Sequence, residues 1–240
     1  MPTMDLDAIW RRARNDLTVT TKEGDSDLFL WEHSARVAQS AQRIAAFPVV
    51  RAEKPNDNVV ALAGLYHDAG WAVRCRNGEI DRSEVLLGPI SESGCELAAS
   101  LLESSLAGLA PAEVVERAAR AVRALCEREP SLIETKIVLE ARHLQEFGLL
   151  MLWPAIRRGL LDGKGVQAVI DTWRRKKEYH FWTARLKDSF RFQPVRDLAE
   201  QRLKKLEAFM QEIDAENTNR DVPALKPDES IRRPTKSPSV

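Results

Sequence analysis

Two histidines and one aspartate are the residues best placed to do chemistry in this chain. His33 lies in W-E-H-S-A-R-V-A, and His67 and Asp68 are adjacent in A-L-A-G-L-Y-H-D-A-G-W. A lone histidine on an apolar helix face is usually a hydrogen-bonded core or surface residue. An aspartate directly after a histidine, at the end of an apolar helix, is harder to accommodate, because burying a carboxylate beside an imidazole is costly without compensation. A shared cation would compensate. Imidazole nitrogen combined with carboxylate oxygen suits Mn, Fe, Zn or Ni better than a soft metal. Ala63 and Gly64, one turn before the pair, are small enough to let a second helix approach. Short His/Asp motifs also occur without metals, so these residues alone leave a metal site and a satisfied polar pair both open.

The elements that must position these residues read as helices. Glycine is scarce, and apolar residues recur at steps of three and four. His33, Val37, Ala41 and Ile44 share one face of a helix that Pro48 closes, and R-A-E-K-P-N-D-N follows as a loop. A second helix starts near Val59, carries Leu62, Leu65 and Tyr66 to His67-Asp68, and is expected to stop at Gly70. From Trp71 to Gly94 the mixed polarity predicts loop with short elements. Upstream, an amphipathic stretch around Ile9 and Trp10 leads into T-T-K-E-G-D-S-D, read as a turn ending in an N-cap. Residues 95–107 and 111–127 are further helices, with Pro111 suited to a first turn. Pro130 opens an element with Ile137, Ala141, Leu144 and Met151 on one stripe. Pro194 opens the last long helix, with Val195, Leu198, Leu206, Phe209 and Ile213 at helical spacing.

The expected architecture is all-α, a helical bundle with no internal repeat. Residues 1–27 form an N-terminal helix and turn, 28–214 the main domain, and 215–240 a tail too polar to offset its ordering entropy. Thirty-six basic residues balance thirty-six acidic ones, so overall charge gives no pull toward nucleic acid, anionic membrane or acidic substrates. Cys75, Cys95 and Cys126 show no C-x-x-C spacing, and no apolar run approaches the ~20 residues of a membrane span. The N-terminal stretch lacks the apolar core of a signal peptide. A cytoplasmic setting without a membrane partner is expected; oligomeric state is not readable.

The H-x-x-R-V step of His33, Arg36 and Val37, followed by A-x-x-x-H-D, resembles the opening motifs of HD-domain metal-dependent phosphohydrolases. The likeness continues in position through Glu134, Thr135, Lys136, Ile137 and Leu144 to Gly148. The segment H-F-W-T-A-R-L-K-D-S-F-R-F-Q-P-V-R-D-L-A-E-Q-R-L is similar to the C-terminal helices of one bacterial branch. That resemblance implies the HD-domain helical bundle and a divalent metal ion (Mn, Fe, Zn, Ni or Mg) held by His33, His67 and Asp68. Asp68 is then also the bridging or orienting carboxylate at the reacting centre. It implies hydrolysis of a small phosphate ester or nucleotide, with Arg36 contacting the substrate's phosphate; a surface ion pair is the plain alternative for Arg36.

One position departs from that pattern. The family's final aspartate, commonly in D-A-D-x-L, falls on Arg142 within Glu140-Ala141-Arg142-His143-Leu144. The middle helix also lacks the histidine that some branches carry near Leu125 or Cys126. A guanidinium cannot ligate a cation. Either water or Glu140 fills the vacancy, or Arg142 pairs with Asp68 in place of the cation and leaves a binding or regulatory module of reduced activity. Glu140 is two residues away, about 200° around a helix, so its participation needs a different register. His143 points about 100° from Arg142 and is not a simple replacement.

The remaining candidate is W-R-R-K-K-E-Y-H-F-W at residues 173–182, where cations interleave with aromatics as in single-stranded nucleic-acid binders. Core packing of Trp173, Phe181 and Trp182, with the four cations on a solvated face, is the favoured reading. His180 is expected to pack or cap, and nucleic acid is not expected as a partner. The basic, Pro-rich end S-I-R-R-P-T-K-S-P-S-V has the composition of a disordered segment.

Overall fold

The computed structural model describes residues 4–20, 24–86, 88 and 91–223. Helix α1 (Leu6–Leu17) is capped by the Asp5 side chain, which accepts from the Ala8 amide at 3.0 Å. The stretch read as a turn contains a small antiparallel hairpin, β1 (Val19–Thr20) with β2 (Ser26–Asp27), pairing Val19 with Asp27. Asp27 then accepts from the Phe29 amide at 3.0 Å and so fixes the start of α2 (Phe29–Ala45). Pro48 ends that run and opens the single turn α3 (Pro48–Arg51).

Helix α4 (Asp57–Tyr66) is the centre of the bundle. Asn56 caps it by accepting from the Asn58 and Val59 amides, and every residue from Val59 to Tyr66 is buried. It packs against α2, α7 (Ala112–Arg123) and α8 (Ile133–Leu144). Gly64 allows that approach: a Cβ there would lie 2.7 Å from the Ala38 Cα of α2, closer than real contacts permit. The buried Tyr66 hydroxyl donates to Asp16 Oδ2 of α1 at 2.7 Å, tying the N-terminal helix to the centre.

After the turn at His67–Ala69 the chain does not leave helix as expected. It continues as α5 (Gly70–Arg76), because the absent side chain of Gly70 lets the backbone pack directly on Gly94 of α6 (Glu92–Leu106). Glycine here serves a close approach, not a stop. A 3-10 turn at Arg82–Glu84 is the short element within the following loop.

Two other expectations are corrected. Pro111 caps α7 from outside the helix, with an extended ψ of 136°. The stripe through Ile137, Ala141 and Leu144 is buried on α8, but Met151 belongs to a separate 3-10 turn (Leu149–Met151) after left-handed Gly148. The last helix spans Gln193–Asn217 with Pro194 in its first turn; Val195 and Leu206 are buried, whereas Phe209 is 41% exposed. Between these lie α9 (Leu152–Leu161), α10 (Val166–Glu178) and α11 (Phe181–Ser189), and the last helix is α12. The tail's residues 224–240 lie outside the described residues.

Candidate metal centre

His33 projects from the first turns of α2, while His67 and Asp68 follow the C-terminal end of α4. The close α2–α4 contact at Gly64 and Ala38 brings them together. The Nε2 atoms of the two histidines are 3.3 Å apart. Asp68 Oδ2 lies 3.0 Å from His67 Nε2 and 3.3 Å from His33 Nε2.

These separations fit a shared ion. With metal–ligand bonds of about 2.1 Å, ligand atoms at octahedral or tetrahedral angles sit about 3.0–3.4 Å from one another. The protonation pattern points the same way. His67 Nδ1 is 2.9 Å from the Gly64 carbonyl, to which it can only donate, so the neutral ring directs its Nε2 lone pair at Asp68 and His33. Both Asp68 oxygens are buried and, among the described residues, receive no aligned hydrogen bond. Burial works to raise the Asp68 pKa, but the groups around it, His67, Arg142 and His33, override burial and hold the carboxyl well below its ordinary range. Burial lowers the His33 pKa, favouring the neutral ring that can ligate. A buried carboxylate with no aligned donor among the described residues lacks a partner, and a cation supplies one. His33, His67 and Asp68 are the described residues that cluster with metal-ligand spacing.

Arg142 stands beside this cluster, as the register through α8 predicts. Its Nε is 3.7 Å from Asp68 Oδ2, an ion-pair contact too long for a hydrogen bond. Glu140 does not rescue the missing ligand. It points away from the cluster, accepts a short hydrogen bond from the Arg191 amide, and burial pushes its pKa up to about 7. His143 is also turned away, with Nδ1 3.1 Å from the Ser189 carbonyl.

A cavity of about 300 Å³ opens onto His33 and Asp68. Arg36, Arg142 and Lys176 line it, with Phe29, Leu86, Met151 and Phe181 among its apolar walls. Arg36 approaches Glu32 only to 3.9 Å, and its buried Nε has no hydrogen-bond partner among the described residues. Both the ion-pair reading and the cavity-facing one therefore describe part of its surroundings.

The 173–182 segment is only partly as expected. Trp173 and Trp182 are buried against each other, with ring centroids 4.3 Å apart. Arg174 pairs with Asp214 at 2.6 Å and Lys177 with Glu207 at 3.7 Å on the outer face. Lys176 departs from the solvated-face reading. It is partly buried and lines the cavity, with Nζ 4.8 Å from the Phe181 ring centroid. A run of like charges gives no sequence signal for which member faces inward. His180 is exposed, in left-handed conformation at the head of α11, and its side chain makes no cap bond.

Residues 30–146 match the HD-domain family model. They form an HD domain. Solved structures of the same fold include Bacillus subtilis YpgQ in complex with ADP, 20% identical over 92% of this chain and 100% of that one, with a TM-score of 0.56. The Lin1889 protein of Listeria innocua is 18% identical over 90% of this chain and 98% of its own, with a TM-score of 0.53. A predicted HD superfamily hydrolase from an uncultured Thermotogales bacterium is 22% identical, covering 89% and 93%, with a TM-score of 0.50. No curated protein matches the chain. The HD domain is characteristically metal-dependent and hydrolytic, and the His-His-Asp cluster is consistent with that class. Among the described residues, no helix is long and apolar enough to cross a membrane.

Proposed function

We propose that this protein is a metal-dependent phosphohydrolase acting on a small phosphate ester or nucleotide, with His33, His67 and Asp68 holding one divalent ion. The observation that carries this reading is the set of 3.0–3.3 Å spacings around an Asp68 carboxylate that receives no aligned hydrogen bond among the described residues. Three protein ligands suffice, because catalytic sites keep a position open. When bound, the ion supplies Lewis acidity toward a phosphoryl oxygen and a more acidic water.

The chain's own residues do the rest. The Gly64 carbonyl holds His67 in its ligating tautomer, and the ionised Asp68 supplies the negative charge. Arg36 meets phosphate oxygens with a guanidinium fork. Arg142, unable to ligate, adds a second cation beside the same phosphoryl group and offsets charge that develops there. The apolar walls limit water around the reacting centre. The ADP bound to YpgQ supports a nucleotide as one class that such a cavity accepts. Three unpaired cysteines are in keeping with a reducing, cytoplasmic setting.

The 3.7 Å contact of Arg142 with Asp68 favours a second reading, in which the guanidinium replaces the ion electrostatically and the domain binds ligands without hydrolysing them. A phosphatase and nucleotidase screen with added Mn, Mg or Ni separates the two. Hydrolysis that falls at least 100-fold in His67→Ala is expected. No hydrolysis by the metal-supplied protein supports the binding module, and activity that survives in His67→Ala refutes this site as its source.

A further inference from the structure

The far wall of the cavity comes from outside residues 30–146. Met151, Lys176 and Phe181 belong to the segment beyond the HD-domain match, while His33, Arg36, Asp68 and Arg142 lie within it. The cavity is thus lined both by the matched domain, which carries His33 and Asp68, and by the helices that follow it.

Lys176 is the notable group of that far wall. Its neighbours on α10 are engaged outward: Arg174 with Asp214 and Lys177 with Glu207. Lys176 itself has no hydrogen-bond or ion-pair partner among the described residues. The acid whose charge acts on it is Glu146, also in the cavity wall, whose carboxylate is already gripped by the Arg185 guanidinium through two hydrogen bonds. What Lys176 does have is aromatic: its Nζ lies 4.8 Å from the Phe181 centroid and 5.7 Å from that of Trp182. Such contacts hold an ammonium in place without neutralising it. A partly desolvated, oriented and unpaired cation favours an anion as its missing partner. The metal-proximal phosphoryl group already has Arg36 and Arg142 near it.

We propose that Lys176 is a specificity-determining residue that binds a second phosphate, so that the cavity prefers substrates with two or more linked phosphates over monophosphates. This rests on the phosphohydrolase reading above, with α2, α4 and α8 serving the first phosphate and α10 the second. Arginine at 176 keeps the charge and the aromatic contact, whereas glutamine removes the charge at similar length.

The test is calorimetric titration of the full chain, in the presence of Mn, with inorganic phosphate, pyrophosphate and tripolyphosphate. The wild type is expected to bind pyrophosphate at least tenfold more tightly than phosphate. Lys176→Gln should lose that margin while its phosphate affinity stays within about twofold, and Lys176→Arg should keep most of it. An equal loss for phosphate and pyrophosphate in Lys176→Gln overturns the proposal, as does an unchanged preference. A wild type that binds none of the three overturns both this inference and the reading beneath it. Phosphate binding that persists without a pyrophosphate preference overturns the inference alone.

Discussion

Replacing Glu140 with glutamine removes a buried ionisation while keeping an oxygen to accept from the Arg191 amide. The Glu140 side chain is fully buried, and burial raises its pKa from 4.5 to about 7 against the opposing pull of the Arg191 and Phe192 amides. In the unfolded chain the same carboxyl ionises at its ordinary value. Between about pH 4.5 and 7 the folded state therefore holds a proton that the unfolded state has released, and stability falls as pH rises through that window. A shift of this size corresponds to about 3 kcal/mol once both states are ionised. For a chain of this length roughly 2–4 °C in Tm accompanies each kcal/mol, so about 6–12 °C is at stake. Glutamine does not titrate. Differential scanning calorimetry of both proteins from pH 5 to 8 should show nearly equal Tm values at pH 5 and a glutamine variant about 6–12 °C more stable at pH 8. A difference that does not change with pH, or a wild type favoured at pH 8, would refute the assignment of Glu140 as a carboxyl protonated by burial.

Two substitutions at the centre give further outcomes. Arg142→Asp removes a cation 3.7 Å from Asp68 and restores a carboxylate, so Mn affinity should rise by about 10–100-fold in a competition titration; an unchanged affinity would show that position 142 does not face the ion. Gly64→Ala places a methyl against the Ala38 backbone and must push α2 from α4, costing about 1–3 kcal/mol. Because that contact sets the distance from His33 to His67, metal affinity should fall together with Tm, and a lowered Tm with unaltered metal affinity would separate the packing from the site.

The legible part of this protein was its periodic part. His33, Val37, Ala41 and Ile44 share a helix face in sequence because their spacing follows the helical repeat; the family resemblance implied Arg142 at the site, and the same repeat then set Glu140 off it. Glycine was ambiguous. At Gly70 it reads as a helix stop, yet the helix resumes there because a backbone from elsewhere in the chain fills the space a side chain would need. No local pattern encodes such a distant contact. Lys176 was hidden for a related reason, since its inward turn depends on the Phe181 and Trp182 rings, not on its place in a charge run. The outward pairing of its neighbours with Asp214 and Glu207 likewise required the last helix to be in position.

The most direct measurement is the metal content of the full chain after exposure to Mn, Fe or Zn and removal of unbound ions. The three-ligand centre predicts close to one divalent ion per chain in the wild type. It predicts loss of that ion in His67→Ala, with the helical circular dichroism retained. A wild type that retains no ion while remaining folded would contradict the centre and assign the charge beside Asp68 to Arg142 alone.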